Sequence, residues 1–412
     1  MVSIPGRWIA VTIFVFASVL NYLDRFVLAT MVDIWRAKPE FPFSYADYGT
    51  VTAVFGITYA IAAPFMGLLV DRVGLNKGIS ISVALWSLVS MAHGMVRNFQ
   101  GLLFCRAALG AVEASGISAV GKVTAMYLKP EELALGSAMS QLGLSVGAGL
   151  APAFTVYFAY RHNWRWAFFA AGILGLIWIP IWLATAKAIP PTTPSSHEKL
   201  RPAGVLTDMR FYGLILANAL SMTFYSLWTN WAPIYLVRVH HLTPQEASHY
   251  SWAVPLAGYV GAFLGGSFSW WLVRRAKLQP IDARKRVCLF CAIVLLGSAF
   301  IPALSTPLLA TIGMSLSYFW ISAWSTNLYS LPIDIFGADR AAFGVSGLIF
   351  AYGLMQAIVS RPLGRTIDEY GFQPVLTTFA LLPLAAYGLL WMLVRTRSDG
   401  EQHGLRGLTS NA

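Results

Sequence analysis

The sequence predicts an all-α integral membrane fold of about twelve spanning helices in two bundles of six. Three observations carry this. The 412 residues are 57% hydrophobic and only 11% charged, with a mean hydropathy of +0.61; a soluble domain carries about twice that charge fraction. Apolar runs of the roughly 20 residues needed to cross hydrocarbon recur from end to end. A polar stretch from Lys187 to Met209, with Pro190, Pro191, Pro194, Ser195, Ser196 and Pro202, divides the runs into two equal sets. Its composition reads as a flexible linker.

In order, the runs fall roughly at 8–34, 47–70, 78–96, 100–126, 134–160 and 165–186. In the second half they fall roughly at 211–237, 248–273, 287–304, 308–333, 342–364 and 374–394. The predicted organisation is therefore a bundle at 1–186, a cytoplasmic linker at 187–209, a bundle at 210–396 and a tail at 397–412. The first run is full length and lacks a small-residue cleavage site, so it is expected to remain as a span. Lys and Arg concentrate on the side of the N-terminus, the positive-inside pattern. This predicts a multi-pass protein of the plasma membrane (a bacterial inner membrane), monomeric, with both termini cytoplasmic.

The net charge of +11 would suggest a nucleic-acid partner in a soluble protein. Here the densest cluster, Arg274, Arg275, Lys277, Arg284, Lys285 and Arg286, sits on an inner loop, where anionic lipid explains it better. The lipid bilayer is thus an expected partner and nucleic acid is not. Cys105, Cys288 and Cys291 lie in or beside apolar runs. The C-x-x-C spacing of the last two lacks a second ligand pair, so no metal, disulfide or cofactor is expected.

After the second run comes Gly67-Leu-Leu-Val-Asp71-Arg72-Val-Gly74-Leu-Asn-Lys77-Gly78. At the corresponding place in the second half stand Gly265, Gly266, Ser269, Arg274 and Arg275, with Ser269 where Asp71 would align. The first copy resembles, nearly residue for residue, the G-x-x-x-D-R-x-G-x-x-K-G signature of the major facilitator superfamily. The resemblance implies the major facilitator fold. Gly67 and Gly74 permit close helix contact and a sharp turn. Asp71, at a helix end, can accept from backbone N–H groups of a neighbouring helix and interact with its dipole. In the family that neighbour belongs to the opposite half, so Gly67, Asp71, Arg72 and Gly74 are expected to form the inner gate.

Two acids lie inside the spans, Asp24 and Glu113, each with an arginine close by, Arg25 and Arg106. Charge at membrane depth costs several kcal/mol, so it is usually paired, turned inward and functional. Arg106, Gly110 and Glu113 are spaced i, i+4, i+7 and share one helix face. At 1.5 Å per residue Arg106 lies roughly 9 Å and Glu113 roughly 20 Å from the outer surface, with Asp24 and Arg25 about 15 Å deep between them. Cross-pairing of Asp24 with Arg106 and of Arg25 with Glu113 is therefore feasible where helices 1 and 4 are neighbours. Burial disfavours a charged carboxylate and a nearby arginine favours it. An anion competing for that arginine would raise the proton affinity of the acid, which is a coupling mechanism.

Asn21-Tyr22-Leu23-Asp24-Arg25 resembles the first-helix signature of the anion:cation symporter branch of the superfamily, which includes hexuronate, galactonate, phthalate and sialic acid transporters. Arg106 to Glu113 resembles the branch's R-x-x-x-G-x-x-E motif, and Lys129-Pro130-Glu131 its following loop. The resemblance implies Asp24 and Glu113 as proton carriers tuned by Arg106. Arg25 would be the main carboxylate contact, with Tyr22 and Tyr59 hydrogen-bonding the substrate. Two departures stand out: Ala114-Ser115-Gly116 where the family continues Ala-Pro, and Gly353-Leu354 where it tends to carry Gly-Asn. The second removes a polar group and argues against a polyhydroxylated sugar acid.

The second half has no acid within a span. Its cavity candidates are Tyr225, Trp228, Asn230 and Trp231, then Trp320, Trp324 and Asn327, which share a face at i, i+4, i+7, then Tyr352 and Gln356. Gln141 of the first half joins the substrate set. Arg361 either faces the cavity, implying a second anionic group on the substrate, or snorkels at the outer interface. His93 is expected to pack against small neighbours.

These readings predict a transporter, not an enzyme: a symporter that takes up a small organic anion, a carboxylate or sugar acid, by alternating access with protons as the coupling ion. A proton-independent facilitator and an anion or organic-phosphate exchanger of the same fold are the alternatives. An exchanger would want an arginine within 211–237, which has none. A sensor would need an attached domain, and an enzyme a nucleophile–base pair.

Overall fold

Backbone groups in hydrocarbon must be satisfied within the protein, and the chain meets this with helix throughout. The computed structural model describes residues 6–37, 42–129, 132–190 and 204–394, which contain α-helices and one 3-10 segment but no strand. The first half comprises α1 (Gly6–Arg36), α2 (Tyr45–Val73), α3 (Leu75–His93), α4 (Phe99–Glu113), α5 (Ser115–Tyr127), α6 (Leu133–Arg161) and α7 (Arg165–Ala188). The second comprises α8 (Met209–His240), α9 (Pro244–Ser251), α10 (Ala253–Arg275), α11 (Pro280–Leu295), a 3-10 turn (Leu296–Ala303), α12 (Pro307–Phe336), α13 (Ala338–Tyr370) and α14 (Phe372–Leu393). Most of the predicted linker (191–203), the predicted tail, and Pro130 and Glu131 of the loop motif lie outside the described residues.

Every expected apolar run is helical, but three are subdivided. The fourth breaks at Ala114, directly after Glu113. The Ser115-Gly116 pair that follows is the kind of sequence at which helices kink, and the Ser115 hydroxyl donates to the freed Val112 carbonyl at 3.3 Å. Eight helical stretches are long and apolar enough to cross a membrane by length and composition. Among the spans that fall short, α8 and α12 are rich in Asn, Ser, Thr and Tyr, as expected of helices that face a wet interior rather than lipid.

Within the first half α1 packs on α6, α3 on α7 and α2 on α4; within the second α10 packs on α12 and α8 on α14. The halves meet mainly where α2 lies along α13 and α6 meets α10. The surface where α1 begins and α14 ends is the terminal face. There Arg7 donates to Glu132 at 2.8 and 3.0 Å, and the Lys129 amide donates at 3.0 Å, tying α1 to α6. The Arg7 hydrogen bonds, then the Lys129 amide, hold the Glu132 carboxyl down at about 2. Gly74 turns the chain from α2 to α3 with φ +82°. Arg72 is exposed, and Gly67 and Asp71 lie in the last turns of α2 with side chains outside the described set.

The seam between the halves is tight on the opposite face. A Cβ on Gly49 would collide with the Ser360 carbonyl, and one on Gly364 with the Tyr45 carbonyl, so glycine lets α2 and α13 touch backbone to backbone. Asp368, at the end of α13, accepts from the Tyr45 and Ala46 amides at 3.3 and 2.9 Å and pairs with Arg36 at 3.2 Å. One half thus caps the first turn of a helix in the other and complements its dipole. Nearby, the Tyr48 hydroxyl donates to the Asn230 carbonyl at 2.9 Å, and Tyr48 and Trp231 meet edge to face with centroids 4.9 Å apart.

A cap of this kind is worth about 1 kcal/mol, roughly a fivefold change in an equilibrium. Asp368→Ala is expected to speed, by about that factor, maleimide labelling of a cysteine placed at Thr52 from the face opposite the termini. An unchanged rate would show that Asp368 does not hold the seam.

Candidate functional site

Helix periodicity and the closed seam leave a cavity of about 580 Å³ between the halves. Toward the opposite face it ends against Leu28, Tyr48, Thr52 and Asn230; toward the terminal face its wall continues past Gln141, Ser330 and Val345. Of the expected site residues, Tyr22, Arg25, Tyr59, Arg106, Gln141, Asn230 and Gln356 line it.

The first-half wall is layered. Arg25 and Arg106 face the cavity, while Asp24 and Glu113 sit behind them, 3% and 0% exposed. Arg25 reaches Glu113 with Nε at 2.9 Å and Nη2 at 2.8 Å from the same oxygen, and its Nη2 lies 3.5 Å from Asn21 Oδ1. Tyr22, Phe55 and Tyr59 surround this guanidinium, their ring centroids 4.6, 4.9 and 5.1 Å away, so it is held by π faces as well as by charge.

Of the two feasible cross-pairs, only this one forms. Asp24 instead accepts a hydrogen bond from the Ser90 hydroxyl of α3, which also lies 3.3 Å from the Phe168 carbonyl. Arg106 donates from Nη1 to the Arg25 carbonyl at 3.4 Å, and its Nε and Nη2 have no partner. Asp24 Oδ2 and Glu113 Oε1 are likewise unpartnered. Residue depth brought the two charges level, but the rotation of α1 turns Asp24 toward α3.

The second half departs further from expectation. Trp324 and Asn327 are fully buried away from the cavity; the Asn327 amide donates to the Gly265 and Ala323 carbonyls at 3.1 and 2.9 Å. Trp320 packs on Phe290 and Phe319. The α12 stripe in the wall is Tyr318, Ser322, Ser325 and Tyr329. It has the same spacing as the expected stripe, shifted by two positions, about 200° around the helix. Hydroxyl groups repeating at i, i+4, i+7, i+11 were the signal for it. Tyr225 and Tyr352 line the cavity, whereas Trp228 is buried with its indole N–H on Ser317 at 2.7 Å, and Trp231 belongs to the seam. Tyr48, Thr52, Ser145, Thr229, Tyr259, Thr326 and Ser330 add polar lining that was unread in the sequence.

Arg361 is exposed and outside the cavity wall, near the Gly49 contact on the opposite-face side of α13. Leu354, on the same helix face, is 44% exposed, so the Gly353-Leu354 departure does not remove a group from the wall. His93 is buried, but it stacks on Phe168 with centroids 5.4 Å apart rather than facing small residues.

The Major Facilitator Superfamily model matches residues 14–358. The chain is 24% identical to a hexuronate transporter of Escherichia coli (strain K12), covering 95% of this chain and 94% of that protein. It is 24% identical to a D-galactonate transporter of Escherichia coli O6:H1, covering 94% and 96%. A bacterial homolog of the human lysosomal transporter Spinster, solved in an inward-facing and occupied conformation, superposes with a TM-score of 0.71 at 19% identity, covering 95% of both chains; this likeness is one of fold.

Gly110 lies between Arg106 and Glu113, and a Cβ there would strike the Thr58 hydroxyl and the Phe55 carbonyl of α2. Overpacking of this sort costs about 1–3 kcal/mol. Gly110→Ala is expected to lower the melting temperature of the purified protein, whereas Gly116→Ala, where a Cβ meets nothing within 4 Å, is expected to leave it unchanged. Equal stability of the two variants would contradict the tight α2–α4 contact.

Proposed function

Because the chain belongs to the major facilitator superfamily, we propose that it imports a small organic anion, a carboxylate or sugar acid, by proton-coupled alternating access. The observation that carries this reading is the layered charge of the first-half wall. Two arginines face the cavity, and two buried carboxylates, Glu113 on Arg25 and Asp24 on Ser90, lie behind this wall with one oxygen each unpartnered. The hexuronate and galactonate transporters that align along nearly the whole chain support the anionic substrate.

In this reading an anion entering the cavity competes with Glu113 for Arg25. A carboxylate as buried as Glu113 is costly as an anion once it loses its arginine, so Glu113 takes a proton. Anion and proton therefore promote each other's binding, and the coupling is reciprocal. Asp24, held by Ser90 and close to both arginines, is the second carrier. Arg106 tunes both acids, and Tyr22 and Tyr59 orient the anion beside Arg25. The loaded site carries less unpaired charge, which eases the rocking of the two halves about it; when the anion leaves, the Arg25–Glu113 pair reforms and the proton is released. The seam through Gly49, Gly364 and Asp368 is the closed gate of one end state, and the cytoplasm is the side of the terminal face. An organic-phosphate exchanger is disfavoured, since the arginines of α8, Arg210 and Arg238, stand at its ends and outside the cavity wall.

In proteoliposomes, uptake of labelled hexuronate or hexonate is expected to rise with an inward proton gradient; indifference to the gradient would mean a facilitator. Glu113→Gln is expected to abolish gradient-driven accumulation while leaving counterflow, and accumulation that survives would remove Glu113 from the coupling. Arg25→Ala is expected to lose binding, so unaltered affinity would exclude it from the anion site.

A further inference from the structure

The charge of the cavity wall is one-sided, and this limits the substrate further. Among the described residues the wall contains two charged side chains, Arg25 and Arg106, both from the first half. Arg25 is already matched by Glu113, while Arg106, 3% exposed, presents two N–H-bearing nitrogens without a partner. Across the cavity, α8, α10, α12 and α13 contribute hydroxyls, amides and apolar groups and no cation. Arg361, the cation of that half weighed for the cavity in the sequence, is exposed and outside the wall.

From this asymmetry we infer that the cavity accepts mono-anions and rejects dicarboxylates: a single carboxylate binds at Arg25 and Arg106, and a neutral body lies against the uncharged wall of the second half. This rests on the anion-transport reading above and sharpens its substrate class. With Asp24, Glu113, Arg25 and Arg106 all ionised, the inner group is neutral. One carboxylate with one proton restores neutrality, whereas a second carboxylate has no cation to meet. It would face Asn230, Gln356 and the phenols of Tyr225, Tyr318, Tyr329 and Tyr352. The Asn230 amide is already committed to the Ser226 carbonyl and hydroxyl at 3.0 and 3.2 Å, and the Tyr318 hydroxyl to Thr229 at 2.9 Å. Neutral donors suit the hydroxyls of a polar, uncharged body; an ion stripped of water needs a counter-charge.

The test is binding of matched pairs to the purified full chain, by calorimetry or thermal shift, above the pH at which both acids of the dicarboxylate ionise. The probes are D-glucuronate against D-glucarate, butyrate against succinate, and benzoate against phthalate. In whichever pair binds, the dicarboxylate is expected to bind weaker by about a hundredfold. A dicarboxylate that binds as tightly as its partner overturns the inference and leaves anion transport standing. Binding of no member of any pair overturns the anion reading itself. Ser325→Lys, which adds a cation to the opposite wall, is expected to recover the dicarboxylate. A folded variant that recovers nothing shows that the far end of the substrate does not meet this wall.

Discussion

The interaction on which the interior depends is the pair between Arg25 and Glu113. A carboxylate with no exposure, in a bundle surrounded by lipid, is costly as an anion, and Arg25 offsets that cost with a cation at 2.8 Å. The pair fixes α1 against α4. It also dictates who faces the cavity: the arginine turns toward the wall, and the carboxylate stays behind. Gly110 allows this, since α4 can bring Glu113 inward only where α2 comes against its backbone. A buried pair is a weak source of stability in itself. Its retention beside a second, incompletely matched acid and arginine makes sense where one member can be exchanged for a substrate charge.

The seam between the halves rests on a different principle. Across α2 and α13 there is little side chain at the point of contact; glycine brings backbone onto backbone, and Asp368 satisfies amides that a helix start would otherwise leave open. Such a contact joins a cap, an ion pair and close backbone approaches to one aromatic pair, Tyr48 on Trp231, all at one end of the interface. By contrast the contacts inside each half, such as the Trp178–Trp182 stack against Phe14, are large and apolar. The difference favours rigid halves moving about a separable seam.

The sequence made the architecture readable because hydropathy and length decide it, and every expected run is helical. Subdivision was harder to read: Ala114 breaks its helix through Ser115 and Gly116, a cue no stronger than many others in the chain. In the site, depth along a helix was legible and rotation about its axis was not. Depth alone sufficed for Arg25 and Glu113, whose long side chains reach across. It did not suffice for Asp24, whose short side chain goes where α1 turns it, to Ser90. The same limit explains α12. Trp324 and Asn327 attract attention as large and polar groups, yet a shift of two positions hands the wall to Tyr318, Ser322, Ser325 and Tyr329. Nothing local to α2 announced Gly49 as a seam residue, because its partner Ser360 lies in the other half.

These two arrangements, a charged wall in one half and an uncharged wall in the other, have a consequence for the proposed cycle. If charge exchange happened across the interface, every movement of one half against the other would separate ions and incur their desolvation. Keeping Asp24, Glu113, Arg25 and Arg106 within α1 and α4 removes that cost, since the ions travel together as the halves rock. The second half then needs only neutral hydrogen-bonding groups, which can release and regain water with little penalty. In the proposed cycle this division of labour keeps the ions together while the halves move. The half that binds charge must also hold the charge that answers it.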